Sequence, residues 1–133
     1  MLAALVAAFT LSSPAFHGGA TIPKRYTCDG ANVSPALRWT APPRGTRSLS
    51  LTVVDPDAPG GRFVHWRIPR LAASLRALPA GSRLGGRNSA GTTGWTGPCP
   101  PAGPAHDYRF ELRAIAANGS VLATAILVGR YGR

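Results

Sequence analysis

The feature of this sequence that most constrains its fold is the way that proline and glycine divide it into short apolar runs. The chain of 133 residues contains 13 prolines and 16 glycines, which are spread along it without a period. Residues of these two types end helices and strands and form turns, so runs this short are typical of strands joined by shaped loops. We therefore expect a single domain over residues 1–133. Its fold should be mainly β, a two-sheet antiparallel β-sandwich with Greek-key-like connections and few short helices.

The clearest predicted strand is 48–54, which begins with alternation and becomes continuously apolar, so one of its ends should be buried on both faces. Further strands are predicted at 9–11, 36–39, 63–71 and 108–115. Pro69 should place its strand at a sheet edge or introduce a bulge. We predict a short helical turn at 72–76, a loop at 88–105, and a helix passing into a strand at 121–128.

The charge of the chain is strongly positive, +10, but its Arg and Lys residues are scattered rather than collected on one run or helix face. This distribution argues against nucleic acid as the partner, although a basic surface attracts anions at long range. No stretch approaches the roughly 20 apolar residues needed to span a membrane. The apolar, uncharged segment 1–9 is either the remainder of a signal peptide or a first strand that continues to Leu11.

Two of the five acidic residues and two of the three histidines lie at or near predicted strand ends. Asp55 and Asp57 flank a proline after the most buried strand, His65 lies within the 63–71 strand, and His106 precedes the 108–115 strand. Each has an ordinary interpretation, since Asp-Pro-Asp forms turns and a lone strand histidine is more often structural. Together they favour a shared site.

The loop at 97–101, with the sequence GPCPP, is rigid and has few N–H donors. It is either a connector or an anion site that uses the amides of Gly97 and Cys99. Neither Cys28 nor Cys99 belongs to a Cys-x-x-Cys motif, so a zinc ribbon is excluded. They are either two thiols in a cytoplasm or a disulfide in an exported compartment. A bridge would contribute about 4 kcal/mol to stability.

These segments resemble, in order and over nearly the whole chain, the bacterial branch of the phosphatidylethanolamine-binding protein family, which is also called Raf-kinase-inhibitor-like. The matching segments are 26–39 (YTCDGANVSPALRW), 55–59 (DPDAP), 62–66 (RFVHW), 78–81 (LPAG), 97–103 (GPCPPAG), 106–108 (HDY) and the tail 121–131.

The resemblance implies a pocket at one end of a β-sandwich that takes phosphate, acetate or a phospholipid headgroup. The positions that match the family's pocket are Asp55, Asp57, His65, Gly97, Cys99, Pro100, His106 and Tyr108. The imidazoles, the phenol and the loop amides would donate to the anion, while the carboxylates would orient a histidine or accept from a headgroup amine.

The chain departs from the family pattern at two places. Asp107 stands where the family usually carries Arg, which would make the mouth of the pocket less basic. The connection between Ile115 and Val121 is short, where the family normally has an added helical segment, so we expect that a helix lining or covering the pocket is missing.

The expected function is a non-catalytic binding module for a small anionic ligand, without cofactor or metal, which could also regulate a protein partner. One alternative is a hydrolase-like enzyme that uses Asp55, His65 and His106 as acid and base, although no Gly-x-Ser-x-Gly nucleophile motif is present. Another, by fold analogy alone, is a kinase or protease inhibitor that acts by protein contact. The histidine spacing matches no metal signature. The sequence does not indicate the oligomeric state.

Overall fold

The computed structural model describes residues 7–133, which form strands and loops with a single 3₁₀ turn at Lys24–Tyr26. The strands are β1 (Leu11–Ser12), β2 (Leu37–Trp39), β3 (Thr46–Asp55), β4 (Phe63–Ala72), β5 (Ala77–Leu78), β6 (His106–Ala116) and β7 (Val121–Tyr131). Every strand predicted from the sequence is present within a few residues, except that residues 1–6 of the proposed 1–9 segment lie outside the described part.

The strands form two antiparallel sheets that pack as a sandwich. One sheet has the order β1-β2-β5 and the other the order β4-β3-β6-β7. The chain leaves the larger sheet after β4, adds β5 to the smaller sheet, and returns as β6 beside β3. This crossing is the Greek-key-like connection that the sequence predicted, and the two-sheet antiparallel fold is confirmed.

The core lies between the sheets, where the inward residues of β3 and β6 alternate with outward polar ones. Leu51, Val53, Phe110 and Leu112 are fully buried. Glu111 and Arg113, on the other face of β6, form an ion pair that is only partly buried. The alternation of apolar and polar side chains therefore determines which face of the large sheet packs against the core.

Two of the predicted elements are wrong. Residues 72–76 form a turn rather than a helix, and Leu75 donates its N–H to the carbonyl of Ala72. The predicted helix at the start of 121–128 is strand throughout β7, which pairs with β6 from Val121 to Tyr131. The alanines of this segment suit a helix, but pairing with β6 and burial of alternate side chains decide the outcome.

Strand β4 is irregular at two positions. It lies at the edge of the large sheet, and its register against β3 shifts between Leu49 and Leu51, opposite the segment that contains Pro69. This confirms the expectation of an edge position or a bulge for that proline. A second shift lies between Val53, which pairs with Trp66, and Val54, which pairs with Val64. The extra residue at this bulge is His65.

Candidate functional site

The predicted site residues converge at the end of the sandwich where β3 ends and β4 and β6 begin. A cavity of about 590 Å³ opens there. Seven of the eight predicted residues line it, namely Asp55, His65, Gly97, Cys99, Pro100, His106 and Tyr108. Because β3 is antiparallel to both neighbours, residues far apart in sequence reach the same edge. The eighth residue, Asp57, does not line the cavity.

His106 is oriented by Asp55. The Asp55 carboxylate is buried, and its Oδ2 lies 2.7 Å from Nδ1 of His106. A carboxylate without a proton can only accept, so the proton of this hydrogen bond is on Nδ1. The other oxygen of Asp55 accepts the backbone N–H of Asp57 at 2.8 Å. Asp55 therefore leaves Nε2 of His106 as the nitrogen that can meet a ligand.

His65 reaches the cavity because of the bulge in β4. In a regular strand it would face away from its neighbour Trp66, yet both side chains are buried. A bulge places two successive residues against one partner residue and redirects a side chain. The redirected ring lies 4.7 Å from the Phe63 ring and 5.2 Å from the Tyr108 ring, measured between centroids.

The Nδ1 atom of His65 lies 2.7 Å from the carbonyl oxygen of Thr96. Burial lowers the pKa of His65, and this effect outweighs the carbonyls of Thr96 and Gly97 and the carboxylate of Asp55, which act in the opposite direction. His65 is therefore neutral near pH 7. A neutral ring with its proton on Nδ1 offers an acceptor at Nε2, and the sequence-based expectation that this histidine donates to an anion does not describe this state.

Tyr108 lines the cavity and carries an unpaired hydroxyl. Its side chain is 1% exposed, and its hydroxyl is buried without a hydrogen-bond partner among the described residues. Burial raises the pKa of Tyr108 far above its usual value, with further contributions from Asp55, Asp57 and Tyr131. The phenol therefore keeps its proton at any physiological pH and can donate to a ligand.

The loop at 97–101 offers fewer amides than the sequence predicted. The N–H of Gly97 already donates to Oδ1 of Asn32 at 2.8 Å, so this amide has an acceptor within the protein. The N–H of Cys99 has no acceptor among the hydrogen bonds of the described residues. A Cβ atom at position 97 would overlap the carbonyl oxygen of Tyr26, which explains the need for glycine there.

A disulfide fastens this loop to the segment that follows the 3₁₀ turn. Cys28 and Cys99 are bonded, with Cα atoms 5.4 Å apart. Beside the bond, the N–H of Cys28 donates to the carbonyl of Pro98 at 3.1 Å, and the indole of Trp95 donates to the carbonyl of Tyr26 at 3.2 Å. The wall of the cavity formed by the loop is thus held on both sides of Gly97.

The remaining acids of this region lie outside the cavity. Asp57 is exposed, and its carboxylate accepts the N–H of Asp107 at 3.2 Å. Asp107 is paired with Arg130 at 3.0 Å. The position at which the family usually carries Arg thus faces a basic residue of β7, and Asp107 adds no unpaired negative charge to the mouth.

Arg133 also lines the cavity, although no pattern in the sequence pointed to it. Its guanidinium lies 3.1 Å from Oδ1 of Asp29, and the other oxygen of Asp29 accepts the hydroxyl of Tyr131 at 2.5 Å. Asp29 belongs to the 26–39 segment that resembles the family, and it positions a cation at the cavity. The ion pair with Arg133 is the contact that connects Asp29 with the cavity, and the two residues are far apart in the sequence.

The short connection between β6 and β7 does not border the cavity. It is a tight turn in which Ala116 and Ser120 are hydrogen-bonded at 2.9 Å. Strand β6 begins at the cavity with His106 and ends at Ala116, and 11 residues of strand span about 35 Å. The turn is therefore at the opposite end, and the expectation that its shortness removes a wall of the pocket is wrong.

Within residues 7–133 no three His, Cys, Asp or Glu side chains are grouped as metal ligands. No helix of the same range has the length and apolar character needed to cross a membrane.

The chain is similar to several known proteins over most of its length. A UPF0098 protein of Mycobacterium tuberculosis is 47% identical over 113 residues, which cover 81% of this chain and 54% of that protein. A UPF0098 protein of Methanothermobacter thermautotrophicus is 39% identical, covering 92% of this chain and 98% of that protein. The structure of Escherichia coli YbcL, described as a new member of the mammalian PEBP family, matches with a TM-score of 0.87 and 29% identity over 96% of this chain and 99% of YbcL.

The chain spans about half the length of the mycobacterial relatives that it matches. The family model for phosphatidylethanolamine-binding proteins matches residues 12–131, which include every strand except the first residue of β1. The fold, the order of the motifs and this match lead to the same conclusion: the chain belongs to the phosphatidylethanolamine-binding protein family.

Proposed function

We propose that this chain is a non-catalytic binding protein whose cavity holds a small anionic group, such as phosphate, acetate or the phosphate of a phospholipid headgroup. The observation that carries the proposal is that Tyr108 lines the cavity and that its buried hydroxyl has no partner in the described part of the chain. A buried hydroxyl without a hydrogen bond costs about 1–3 kcal/mol. A ligand oxygen would remove that cost.

The other polar groups around the cavity suit the same ligand. Arg133 contributes a permanent positive charge, and the N–H of Cys99 is available. The carboxylate of Asp55 would repel an anion, but it is directed at His106. The volume of about 590 Å³ is within the range of small-molecule sites, about 300–1,000 Å³.

The test is a titration of phosphate-free protein with phosphate, phosphoethanolamine and acetate, monitored by calorimetry. Tyr108→Phe removes only the hydroxyl, so we expect binding about tenfold to a hundredfold weaker, the value of one hydrogen bond to a charged group. Tyr26→Phe is the matched control, since Tyr26 does not line the cavity. If none of the three ligands binds, or if both variants bind like the parent protein, the proposal is wrong.

A hydrolase-like enzyme is the alternative that the pair of Asp55 and His106 favours, because a carboxylate that orients a histidine occurs in acid–base catalysis. Its weakness is the nucleophile, since Cys99 is in the disulfide and the Tyr108 phenol is held in its neutral form. Turnover of phosphomonoesters or peptides that is lost in His106→Gln would establish catalysis and overturn the binding-only proposal. Regulation of a protein partner stays a prediction from the family.

We also infer that the chain works in an oxidising, exported compartment. The disulfide between Cys28 and Cys99 supports this, because disulfides persist where thiols are not kept reduced. The test is alkylation of cysteines in intact cells with and without prior reduction. Labelling that appears only after reduction is the expected result, and labelling without a reductant would contradict the inference.

A further inference from the structure

Arginines that are scattered along the sequence are collected by the fold on one face of the large sheet. Residues that pair directly across antiparallel strands lie on the same face. One row of paired residues crosses all four strands of this sheet: Arg67, Thr52, Glu111 and Ile126. Phe110, the neighbour of Glu111, points into the core, so this row points away from the small sheet. We call the surface that contains this row the outer face.

The central part of the outer face carries more positive than negative charge. Arg109 and Arg113 lie on either side of Glu111 along β6, and both are paired with its carboxylate. Arg67 and Arg70 of β4 are exposed, and neither forms an ion pair with a residue of the range 7–133. One carboxylate thus lies among four guanidinium groups. A surface with such an excess of positive charge attracts anionic partners.

Exposed apolar side chains adjoin these arginines. Four large apolar residues are prominently exposed in the part of the chain that the structure describes, and three of them belong to the edge strand β7: Val121 at 53%, Leu122 at 42% and Ile126 at 46%. The partner of Val121 on β6 lines a depression of about 380 Å³ together with Arg47 and Arg70. Basic and apolar groups therefore lie side by side on this surface.

The combination of charge and exposed apolar side chains fits one partner better than others. Binding at a membrane surface combines attraction of basic residues to anionic lipids with burial of apolar side chains among the headgroups. A second copy of the chain would bring two positive faces together, which is unfavourable. Protein and nucleic-acid interfaces are commonly anchored by aromatic side chains, and none of the residues named here for the outer face is aromatic.

We propose that the outer face of the large sheet is a docking surface for a membrane that contains anionic lipid, with its arginines at the headgroups and the exposed side chains of β7 inserted between them. The inference goes beyond the proposed function and uses no residue of the cavity. Arg109 lies three residues from His106 along β6, which corresponds to about 10 Å. Docking would therefore hold the cavity beside the headgroup layer.

The experiment is cosedimentation of the full chain with vesicles of phosphatidylcholine alone and of phosphatidylcholine with about 30 mol% phosphatidylglycerol. Phosphatidylglycerol supplies negative charge without an amine in its headgroup. We expect binding to the anionic vesicles to be at least about tenfold tighter, because the attraction depends on the arginines. Raising the salt concentration from about 0.1 M to about 1 M should greatly weaken it, because salt screens exposed charges.

Arg67→Gln combined with Arg70→Gln tests the basic part of the surface. Each arginine near an anionic membrane contributes about fivefold to the affinity, so we expect binding about twentyfold weaker. The matched control is Arg38→Gln combined with Arg83→Gln, which removes the same charge from exposed positions on β2 of the small sheet and in the loop after β5. It should change the affinity less than about threefold, because charges remote from the membrane are screened.

Val121→Thr combined with Ile126→Thr tests the apolar part. Threonine keeps the β-branched shape that suits a strand but replaces apolar groups with a hydroxyl. We expect affinity for the anionic vesicles to fall about tenfold, because each CH₂ group buried in the membrane contributes to binding. Unchanged affinity in this variant would show that no apolar side chain of β7 enters the membrane and would overturn the proposal.

The remaining outcomes separate this inference from the proposed function. Equal weakening in the two double arginine variants would show that net charge alone causes the binding, and the docking surface would be wrong. Displacement from the vesicles by soluble phosphoethanolamine would assign the binding to the cavity, which would support the proposed function and overturn this inference. Absence of ligand binding in calorimetry, with vesicle binding as expected, would do the opposite.

Other partners would be recognised in the same preparations. Binding of a DNA duplex or of polyglutamate that depends on Arg67 and Arg70, in the absence of vesicle binding, would assign the face to another polyanion. A dimer in analytical ultracentrifugation that is lost on replacing Val121 and Ile126 would assign it to a second copy. Either result would show that the membrane proposal is wrong.

Discussion

Removal of the Tyr108 hydroxyl should make the ligand-free protein more stable, while it weakens binding. The residue is 1% exposed, and its hydroxyl is buried without a partner in the part of the chain that the structure describes. An unsatisfied buried hydroxyl costs about 1–3 kcal/mol, and the void that Phe would leave in place of one oxygen returns part of that gain. We therefore expect Tyr108→Phe to raise the free energy of unfolding by about 1 kcal/mol.

The measurement is urea denaturation of protein freed from phosphate and acetate, with the disulfide intact. A gain of about 1 kcal/mol should raise the urea midpoint without changing the slope of the free energy of unfolding against urea concentration. In a thermal melt the same gain should raise the melting temperature by roughly 3–6 °C for a domain of this size. Saturating phosphate should reverse the order of the two proteins, because only the parent gains the hydrogen bond to the ligand. If Tyr108→Phe instead destabilises the ligand-free protein by 1 kcal/mol or more, the hydroxyl has a partner in the folded state and the reasoning is refuted.

Three further predictions concern the rest of the site. Gly97→Ala should lower the free energy of unfolding, measured by urea denaturation, by at least about 2 kcal/mol, because its Cβ would overlap backbone atoms. Gly86→Ala is the control, since no atom lies closer than 4.0 Å to its Cβ, and it should cost less than about 1 kcal/mol. Similar losses in both variants would contradict the packing argument. Replacing both Cys28 and Cys99 by Ser should lower the free energy of unfolding by about 4 kcal/mol, because the disulfide closes a loop over a separation of 71 residues. An unchanged urea midpoint would refute this prediction. Because burial lowers the pKa of His65, the unfolded chain binds a proton before the folded chain does as pH falls below about 6.5. The free energy of unfolding should therefore decrease on acidification through that region. His65→Gln should show a shallower decrease, and a pH profile identical to that of the parent protein would contradict the lowered pKa.

The fold could be predicted from the sequence because its strands depend on local patterns. Alternation in 108–115 and the β-branched run at 48–54 correspond to β6 and β3, the central pair of the large sheet. The alanine-rich start of β7 misled the prediction, since alanine favours helices and only pairing with β6 gives this segment its strand conformation. Strand β5 has two residues, too few for any periodicity to appear.

The candidate site could be predicted only in part, because several contacts depend on geometry that has no local signal. The bulge that turns His65 toward the cavity appears only in the register between β3 and β4. The acceptor that occupies the N–H of Gly97 is Asn32, 65 residues away. The cation at position 133 is positioned by Asp29, which no local pattern marks as a site residue. Motifs identified which segments meet, and the hydrogen bonds between them decide which groups remain available to a ligand.

That distinction also explains why the cavity supports a proposal about its ligand. Three of its polar side chains are held by acceptors within the protein: His65 by Thr96, His106 by Asp55, and Arg133 by Asp29. Each is fixed through one polar atom and keeps another for a ligand, so binding requires little reorganisation. Tyr108 has a single polar atom and no acceptor among the described residues, so nothing there compensates for its burial. A cavity at which three side chains are oriented and a fourth is unpaired therefore supports our proposal that the ligand supplies an oxygen atom there.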